Sequence, residues 1–232
     1  MLINLKYNIL NQKTLSFMDE TTTLIIATRN PGKTSEIRDI LKNHPVDIRN
    51  LNDFGPIPEA VEDGATFEEN AYKKASFAAR ILGFPALADD SGLSVAALNG
   101  KPGIHSARFG GPDADDDARC RLLLEKMKNE TDRRAVFECV ISIALPTGQA
   151  LTYEGRCEGI ITEKPAGKNG FGYDPVFYYP PLGKTFAQIP PDEKNRVSHR
   201  GRALGELKNE FDKVLKWISL QMPVFPKSPC KR

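Results

Sequence analysis

The chain has little of what marks a membrane protein or a protein that binds a polyanion. Its 232 residues include 32 Lys and Arg against 30 Asp and Glu, which leaves a net charge of only +2. This near-neutral balance creates no overall field that would attract nucleic acid. No apolar run approaches the roughly 20 residues that cross a bilayer. We therefore expect neither a nucleic acid nor a membrane among its partners.

Cysteine is also scarce and widely spaced. The chain has four: Cys120, Cys139, Cys157 and Cys230. They form no Cys-x-x-Cys pair, so the sequence offers no closely spaced thiols for a metal cluster. In a chain of this length, isolated cysteines are typical of free thiols in a reducing compartment. The first 20 residues lack the apolar stretch and the cleavage site of a secretory signal, so the expected location is the cytoplasm.

The hydrophobic pattern is typical of an α/β protein. A continuous apolar run at 24–27 predicts a strand buried on both faces, and a short strand expected at 85–88 leads into an acidic pair. Two longer patterns at 135–145 and 150–161, joined by Pro-Thr-Gly, predict an antiparallel hairpin. Parallel-type strands beside a hairpin favour one mixed sheet.

Helices are expected around these strands. Thr66 and Glu69 have the spacing of a capping box for one helix. Asp113 is expected to cap a second helix, which runs to residue 127. Two more helices are expected where apolar residues recur at helical spacing, at about 33–42 and 199–220.

A turn between the first strand and the first helix has the chemistry of a phosphate site. The segment Ala27-Thr28-Arg29-Asn30-Pro31-Gly32-Lys33-Thr34 nearly matches a Walker A loop, except that Ala27 stands where the motif needs Gly. Backbone amides at a helix N-terminus and the charge of Lys33 both favour phosphate. The alternative is an ordinary strand-to-helix turn with a surface lysine.

An adjacent pair of carboxylates follows the strand at 85–88. Because neighbouring strand residues point to opposite faces, only one of Asp89 and Asp90 can face a given metal ion, and the other is expected to fix the fold. Glu62, in a loop before Gly64, offers a second carboxylate for Mg²⁺, which usually takes one or two. The alternatives are a plain Asx-type turn at Asp-Asp-Ser-Gly and a solvated Glu62.

Two later segments combine aromatic rings with hydrogen-bond donors. In Phe171-Gly172-Tyr173-Asp174, either ring could stack on a base or pack in the core. Lys194, His199 and Arg200 gather three donors near the start of the last helix. These donors either recognise the carbonyl edge of a base or form a polar cap.

Together and in this order, these segments resemble the inosine triphosphate pyrophosphatase family over about residues 23–220. Each motif is weakly specific by itself, whereas six in the family's order are highly specific. The matching segments are Thr28-x-Asn30-x-Gly32-Lys33, Glu62-Asp63-Gly64-x-Thr66-Phe67-x-Glu69-Asn70-Ala71, Ala88-Asp89-Asp90-Ser91-Gly92-Leu93, Pro102-Gly103-Ile104-x-Ser106-Ala107-Arg108, Phe171-Gly172-Tyr173-Asp174-Pro175 and Ser198-His199-Arg200-Gly201.

The resemblance implies a long, twisted mixed β-sheet flanked by helices, with two lobes around a central substrate cleft, usually in a homodimer. It implies Mg²⁺-dependent hydrolysis of ITP, dITP and XTP to the monophosphate and pyrophosphate. By position, Asp90 is the family's general base and, with Glu62, holds Mg²⁺. The residues implied to bind substrate are Thr28, Arg29, Asn30, Pro31, Gly32, Lys33, Lys74, Ser91, Phe171, Gly172, Tyr173, Asp174, Lys194, His199 and Arg200.

Two other functions are compatible with single motifs. A P-loop NTPase would cleave the β–γ bond of its nucleotide, but Ala27 and the downstream segments argue against this class. A nucleotide-binding module without turnover would use only the Lys and Arg donors. The products released from ITP distinguish the three functions.

The chain departs from the family pattern at two places. Arg29 stands where the family commonly has a small or polar residue, so its guanidinium either contacts phosphate or points outward. Residues 1–22 form an N-terminal extension that the pattern does not match, ahead of a catalytic domain at 23–220 and a tail at 221–232. Met18 offers a second start site within that extension.

We expect a chain that begins at Met18 to keep its activity and its stability, because segments ahead of a first strand commonly have few tertiary contacts. Its melting temperature should stay within about 2 °C of the full chain, a shift worth under ~1 kcal/mol at this size. Calorimetry and gel filtration of both chains check this. A loss of several degrees, or of dimerisation, would show that the extension belongs to the fold.

Overall fold

One mixed β-sheet organises residues 21–222, which are the residues that the structure, a computed structural model, describes. The strands are β1 (Thr22–Ile26), β2 (Val46–Asn50), β3 (Ala86–Val95), β4 (Arg134–Ala144), β5 (Ala150–Ile161), β6 (Phe177–Tyr179) and β7 (Lys184–Thr185). Their order across the sheet is β2-β1-β3-β4-β5-β6-β7. β1 runs parallel to β2 and β3, and each later neighbouring pair is antiparallel.

Helices flank this sheet within the described part of the chain. They are α1 (Pro31–Leu41), α2 (Phe67–Leu82), α3 (Asp116–Lys126), α4 (Pro191–Val197) and α5 (His199–Gln221). Four of them begin at a side chain that accepts a backbone N–H of the first turn, namely Asn30, Thr66, Asp115 and Ser198. These caps satisfy amides that the first turn of a helix leaves without a partner.

The long central strands run from one hydrophobic cluster into another. At one end, Leu87 and Ile141 belong to a cluster with α1 and α5. At the other end, Leu93 and Phe137 belong to a cluster with α3. The segment 88–92 of β3 therefore lies between two lobes that share one sheet. This arrangement confirms the expected α/β fold with a mixed sheet.

Local signals predicted α2 well. The helix begins after Thr66, whose Oγ1 accepts the amide of Glu69 at 3.1 Å, and it ends at Gly83 in the left-handed region with φ +74°. The capping box differs in one respect. The Glu69 carboxylate accepts the amide of Ala65, at 2.8 Å, rather than that of the cap residue.

The acidic pair lies within a strand and not after one. The prediction of a short strand at 85–88 is wrong, because β3 continues to Val95, and the alternative of an Asx-type turn is wrong with it. β3 pairs with β4 through Asp89↔Ile141 and Asp90↔Val140. The backbone N–H and C=O groups that an Asx turn would bond to a nearby side chain are instead hydrogen-bonded between β3 and β4. The predicted hairpin of β4 and β5 is confirmed.

The start of α3 was predicted two residues too early. Asp115, not Asp113, is the cap, and its Oδ1 accepts the amide of Ala118 at 2.7 Å. Asp113 instead lies inside a turn, which the amide of Ala114 closes by donating to the carbonyl of Gly111 at 3.4 Å.

Gly92 allows a neighbouring segment to approach β3 beside the acidic pair. A Cβ at this position would lie 2.4 Å from the carbonyl oxygen of Gly103 and 2.6 Å from Ser106 Oγ. Ser106 Oγ in turn accepts the amide of Leu93 at 2.8 Å and donates to the Gly103 carbonyl at 2.6 Å. The segment Gly103–Arg108 is thereby fixed over the middle of the sheet.

The expectations for the two ends of the chain concern Met18, Cys230 and most of the extension and of the tail, which lie outside residues 21–222. Inside that range, Thr22 of the expected extension begins β1 and Gln221 of the expected tail ends α5. Within that range, Cys120, Cys139 and Cys157 are buried free thiols, as predicted. The same range holds no helix that is long and apolar enough to cross a membrane. The domain boundaries stay a prediction.

Candidate active site

The turn between β1 and α1 presents the predicted phosphate-binding segment. Thr28 Oγ1 accepts the amide of Asn30 at 3.2 Å, and Asn30 Oδ1 accepts the amide of Lys33 at 3.1 Å. These three residues line a cavity of about 310 Å³, together with Glu62 and Lys74. The turn is therefore fixed by its own side chains and places a lysine at the cavity wall.

Arg29, Pro31 and Gly32 complete the same turn. Arg29 donates to the carbonyl of Ile57 at 2.8 Å and to Asn52 Oδ1 at 3.4 Å, so its guanidinium holds the following loop while it lines the cavity. Pro31 and Gly32 are the first two residues of α1. Proline suits this position because the first helical residue needs no amide donor.

Asp89 is 4% exposed and lies between two cations. Its Oδ2 lies 3.0 Å from Lys33 Nζ, and Arg200 donates to it from Nε and Nη2 at 3.2 and 3.1 Å. Ser91 Oγ also donates to this oxygen, at 2.9 Å. Burial acts to raise the pKa of Asp89, but the charges of Lys33 and Arg200 outweigh it and hold the pKa well below its usual value. Asp89 is therefore ionised and ties α1 to α5.

Asp90 faces the other side of β3, toward α2. Lys74 Nζ donates to Asp90 Oδ1 at 2.6 Å and lies 3.7 Å from Glu62 Oε1, while Arg108 lies 3.2 Å from Glu62 Oε2. Burial raises the pKa of Asp90, although Lys74 opposes this shift. The opposite orientation of the two aspartates agrees with the alternation expected for a strand.

Glu62 and Asp90 form a donor set that suits Mg²⁺. Both carboxylates approach the ammonium of Lys74, so they converge on one small volume. Asp90 Oδ2 is buried and has no hydrogen-bond partner within residues 21–222. No group of three or more His, Cys, Asp or Glu in that range has the arrangement of a metal site. Mg²⁺ usually takes one or two protein carboxylates and fills its other positions with water and phosphate oxygens, so this pair of carboxylates could hold it.

A second cavity, of about 220 Å³, adjoins the first and shares Asn30, Lys33 and Ala107 with it. Its walls combine the rings of Phe137, Phe171 and Tyr173 with many polar and charged side chains, and an aromatic ring offers a face on which a planar ligand can stack. The predicted residues that line it are Ser91, Phe171, Gly172, Tyr173, Asp174, Lys194, His199 and Arg200. The structure thus brings these residues, all predicted to bind substrate, into one place.

Phe171 is the half-buried ring of this cavity, and two cations lie near it. Lys194 Nζ is 4.9 Å and Arg200 Cζ is 5.4 Å from its centroid. Lys194 forms a buried ion pair with Asp174, whose Oδ2 also accepts the amide of Phe171 at 2.9 Å. Tyr173 instead packs in a hydrophobic cluster and donates its hydroxyl to a backbone carbonyl at 2.9 Å. The two aromatic residues therefore serve different purposes.

Arg200 and His199 are both buried at the start of α5. Arg200 Nη1 donates to Glu36 at 2.9 Å, so three of its N–H groups bond carboxylates and one hydrogen remains on each terminal nitrogen. His199 stacks on Phe137 with centroids 4.6 Å apart. Burial, and then the charges of Arg200 and Lys194, keep the pKa of His199 well below its usual value. Its imidazole is therefore neutral.

Several residues of the site escaped the sequence analysis. Asp116 and Arg119 line the second cavity, Glu36 binds Arg200, and Arg108 binds Glu62. Arg108 lies in a matching segment and Asp116 in an acidic run, so both carried a signal. Glu36 and Arg119 have the appearance of ordinary helical surface residues, and no local pattern distinguishes them.

The fold and the site define a class of α/β protein. In it, a strand-to-helix turn of the kind that binds phosphate lies beside the carboxylates of Glu62 and Asp90 and beside a cavity with aromatic walls. The chain belongs to the Ham1 family, whose sequence pattern matches residues 24–210.

Proteins named dITP/XTP pyrophosphatase are similar over most of the chain. The one from Syntrophobacter fumaroxidans is 64% identical over 199 residues, which cover 86% of this chain and 86% of the relative. The one from Desulfotalea psychrophila is 55% identical over 199 residues, which cover 86% of this chain and 89% of that protein. A solved HAM1 protein from Coxiella burnetii has a TM-score of 0.79 and 41% identity, over 83% of this chain and 100% of that protein.

We expect Asp89→Asn to destabilise the fold. The substitution keeps the size of the side chain but leaves Lys33 and Arg200 facing a neutral group in a buried place, a change that typically costs about 3–5 kcal/mol. At this size, the melting temperature should fall by about 6–20 °C. Asp113→Asn, at an exposed position, is the control and should melt like the parent protein. A shift of under about 2 °C for Asp89→Asn contradicts a structural role for this ion pair.

Proposed function

We propose that the protein hydrolyses ITP, dITP and XTP between the α- and β-phosphates, giving the monophosphate and pyrophosphate and clearing these non-standard purines from the nucleotide pool. The observation that carries this proposal is the pair of adjoining cavities, one with carboxylates and lysines and one with aromatic walls, which share Asn30 and Lys33. The proposal is also supported by the name dITP/XTP pyrophosphatase of relatives up to 64% identical.

The triphosphate would occupy the cavity beside α1. Thr28, Asn30 and the first turn of the helix supply donors, and Arg29 lines the same wall. Lys33 and Lys74 bring positive charge from opposite faces of β3, because each is bonded to one member of the aspartate pair. Charge that builds up on the phosphate oxygens during attack at the α-phosphorus is thereby offset.

Glu62 lines the same cavity and would hold Mg²⁺ together with Asp90, since both carboxylates approach Lys74. When bound, Mg²⁺ offsets charge on the triphosphate oxygens and polarises the attacking water. Asp90 Oδ1 is held by Lys74, which leaves Oδ2 as an acceptor that can orient this water. We propose that Asp90 orients the water rather than removing a proton from a free one, since a carboxylate is a weak base.

The purine would lie in the aromatic cavity on the ring of Phe171. The 6-keto oxygen shared by hypoxanthine and xanthine accepts from donors such as Lys194 and the remaining N–H groups of Arg200. Adenine carries an amino group at this position. Its N–H groups would face the N–H donors of the protein, so no hydrogen bond can form there. One buried polar group left without a partner costs about 1–3 kcal/mol, or roughly tenfold to a hundredfold in rate per contact.

We also propose a cytoplasmic homodimer that acts without a nucleic acid or membrane partner. The dimer is supported by the likeness of the motifs to the family described above. The location is supported by the buried free thiols Cys120, Cys139 and Cys157. The net charge of +2 favours a small nucleotide over a polyanion as ligand.

A nucleotide panel with product identification tests the proposed reaction. ITP, dITP and XTP with Mg²⁺ should each yield the monophosphate and pyrophosphate, and ATP should react at least about tenfold more slowly, as one mismatched donor requires. Omission of Mg²⁺ with a chelator present should abolish turnover. Release of IDP and orthophosphate from the purified protein would overturn the assignment in favour of β–γ cleavage.

Asp90→Asn should lower kcat on ITP by at least about 100-fold, because it removes the charge that orients water and binds Mg²⁺ while it keeps the size of the side chain. Asp63→Asn is a matched control, since Asp63 is 70% exposed beside Glu62 and pairs with Lys73. Steady-state kinetics at saturating Mg²⁺ and circular dichroism check both variants. Near-normal turnover of Asp90→Asn would remove Asp90 from the catalytic role.

A further inference from the structure

The inner face of α3 binds the peptide groups on both sides of Gly172. The amide of Gly172 donates to Asp116 Oδ2 at 2.7 Å, and the thiol of Cys120 donates to the Gly172 carbonyl at 3.3 Å. Residues four apart share one face of a helix, so both contacts come from the same side of α3. Burial raises the pKa of Cys120 to about 12, which keeps the thiol protonated as a donor.

Gly172 is the hinge between the two rings of the aromatic segment. Its φ is +63°, a left-handed conformation that glycine adopts without strain. A Cβ there would meet nothing within 4 Å, so the conformation and not the space requires glycine. The two α3 contacts therefore fix the backbone at the place where Phe171 turns toward the cavity and Tyr173 toward the core.

Arg119 in turn fixes Asp116. Its Nη2 donates to Asp116 Oδ1 at 2.5 Å, and its Nη1 donates to the carbonyl of Ala107 at 3.0 Å and to that of Ala114. The side chain of Arg119 is 18% exposed, and Arg119 and Asp116 both line the second cavity, where the purine is proposed to bind. Ala107 lines both cavities. One guanidinium thus links α3 to the segment over β3 and to the carboxylate that holds the aromatic turn.

We infer that Asp116 is a positioning residue for purine binding. Arg119 holds the Asp116 carboxylate, and through the amide of Gly172 this carboxylate fixes the backbone from which the Phe171 ring projects into the cavity. The inference rests on the proposed function, since it assigns Phe171 to the base. Within the described residues, Asp116 forms no hydrogen bond or ion pair with the phosphate turn or with Glu62, Lys74 or Asp90. Its loss should therefore weaken binding of the base and leave binding of the phosphates unchanged.

Two ligands separate these effects. ITP engages both cavities, whereas inorganic tripolyphosphate, used as an inhibitor of ITP hydrolysis, can engage only the phosphate side. For Asp116→Ala we expect KM for ITP to rise about tenfold, kcat to change less than about threefold, and Ki for tripolyphosphate to stay within about twofold of the parent value. Asp116→Asn keeps an oxygen for the Gly172 amide and should recover most of the loss in KM.

Asp117→Ala is the matched control, because Asp117 occupies the same helical turn and is exposed. It should leave KM and Ki unchanged. An unchanged KM for Asp116→Ala, or a Ki that rises in parallel with KM, would overturn the inference. The first result denies the positioning, and the second shows a general loss of structure.

Arg119→Lys carries the test if Asp116→Ala fails to fold. A single ammonium cannot replace the fork that bonds Asp116 and two carbonyls, so KM for ITP should rise about threefold with Ki for tripolyphosphate unchanged. A KM equal to that of the parent protein would again overturn the inference. Failure of the parent protein to convert ITP to IMP and pyrophosphate would instead refute the proposed function, so the two failures are distinguishable.

Discussion

Two neighbouring carboxylates buried on opposite faces of one strand are the constraint on which the rest of the structure depends. An ionised carboxylate removed from water costs several kcal/mol unless it is paired. β3 meets this requirement by alternation, since Asp89 pairs with Lys33 and Arg200 while Asp90 pairs with Lys74. These cations lie on α1, α5 and α2. Neutralising two adjacent residues of one strand therefore fixes the positions of three helices.

The same pairing places the groups that face the substrate cleft. Because Lys33 bonds Asp89, the N-terminus of α1 is held beside the middle of β3, and Lys33 lines the same cavity as Glu62. Arg200 extends the network to Glu36 on α1 and lies 5.4 Å from the ring of Phe171. The two cavities thus share a charged centre. The ion pairs that hold the helices on the sheet are the same ones that position the groups at the cavities.

The parts of the fold that depend on neighbours in sequence could be predicted, and those that depend on distant partners could not. Thr66 and Gly83 bound α2 by local capping, so its limits were correct. Asp89 and Asp90 had the sequence of a turn, because the lysines and the arginine that allow them in a buried strand come from elsewhere in the chain. The early start expected for α3 has a local cause instead, since Asp113 lies in a turn closed by the amide of Ala114 and the carbonyl of Gly111.

For the site, the sequence predicted which residues gather but not how they bond. Arg200 was expected to offer its guanidinium to a base, yet Asp89 and Glu36 bind most of it. The two carboxylates leave one hydrogen on each terminal nitrogen of Arg200 for a ligand. The guanidinium can therefore donate in fewer directions than one without carboxylate partners. Lys194 is neutralised by Asp174, and His199 is uncharged. Under the proposed function, the second cavity would therefore discriminate between bases by hydrogen-bond pattern, and the lysines at the first cavity would attract the anionic part of a nucleotide.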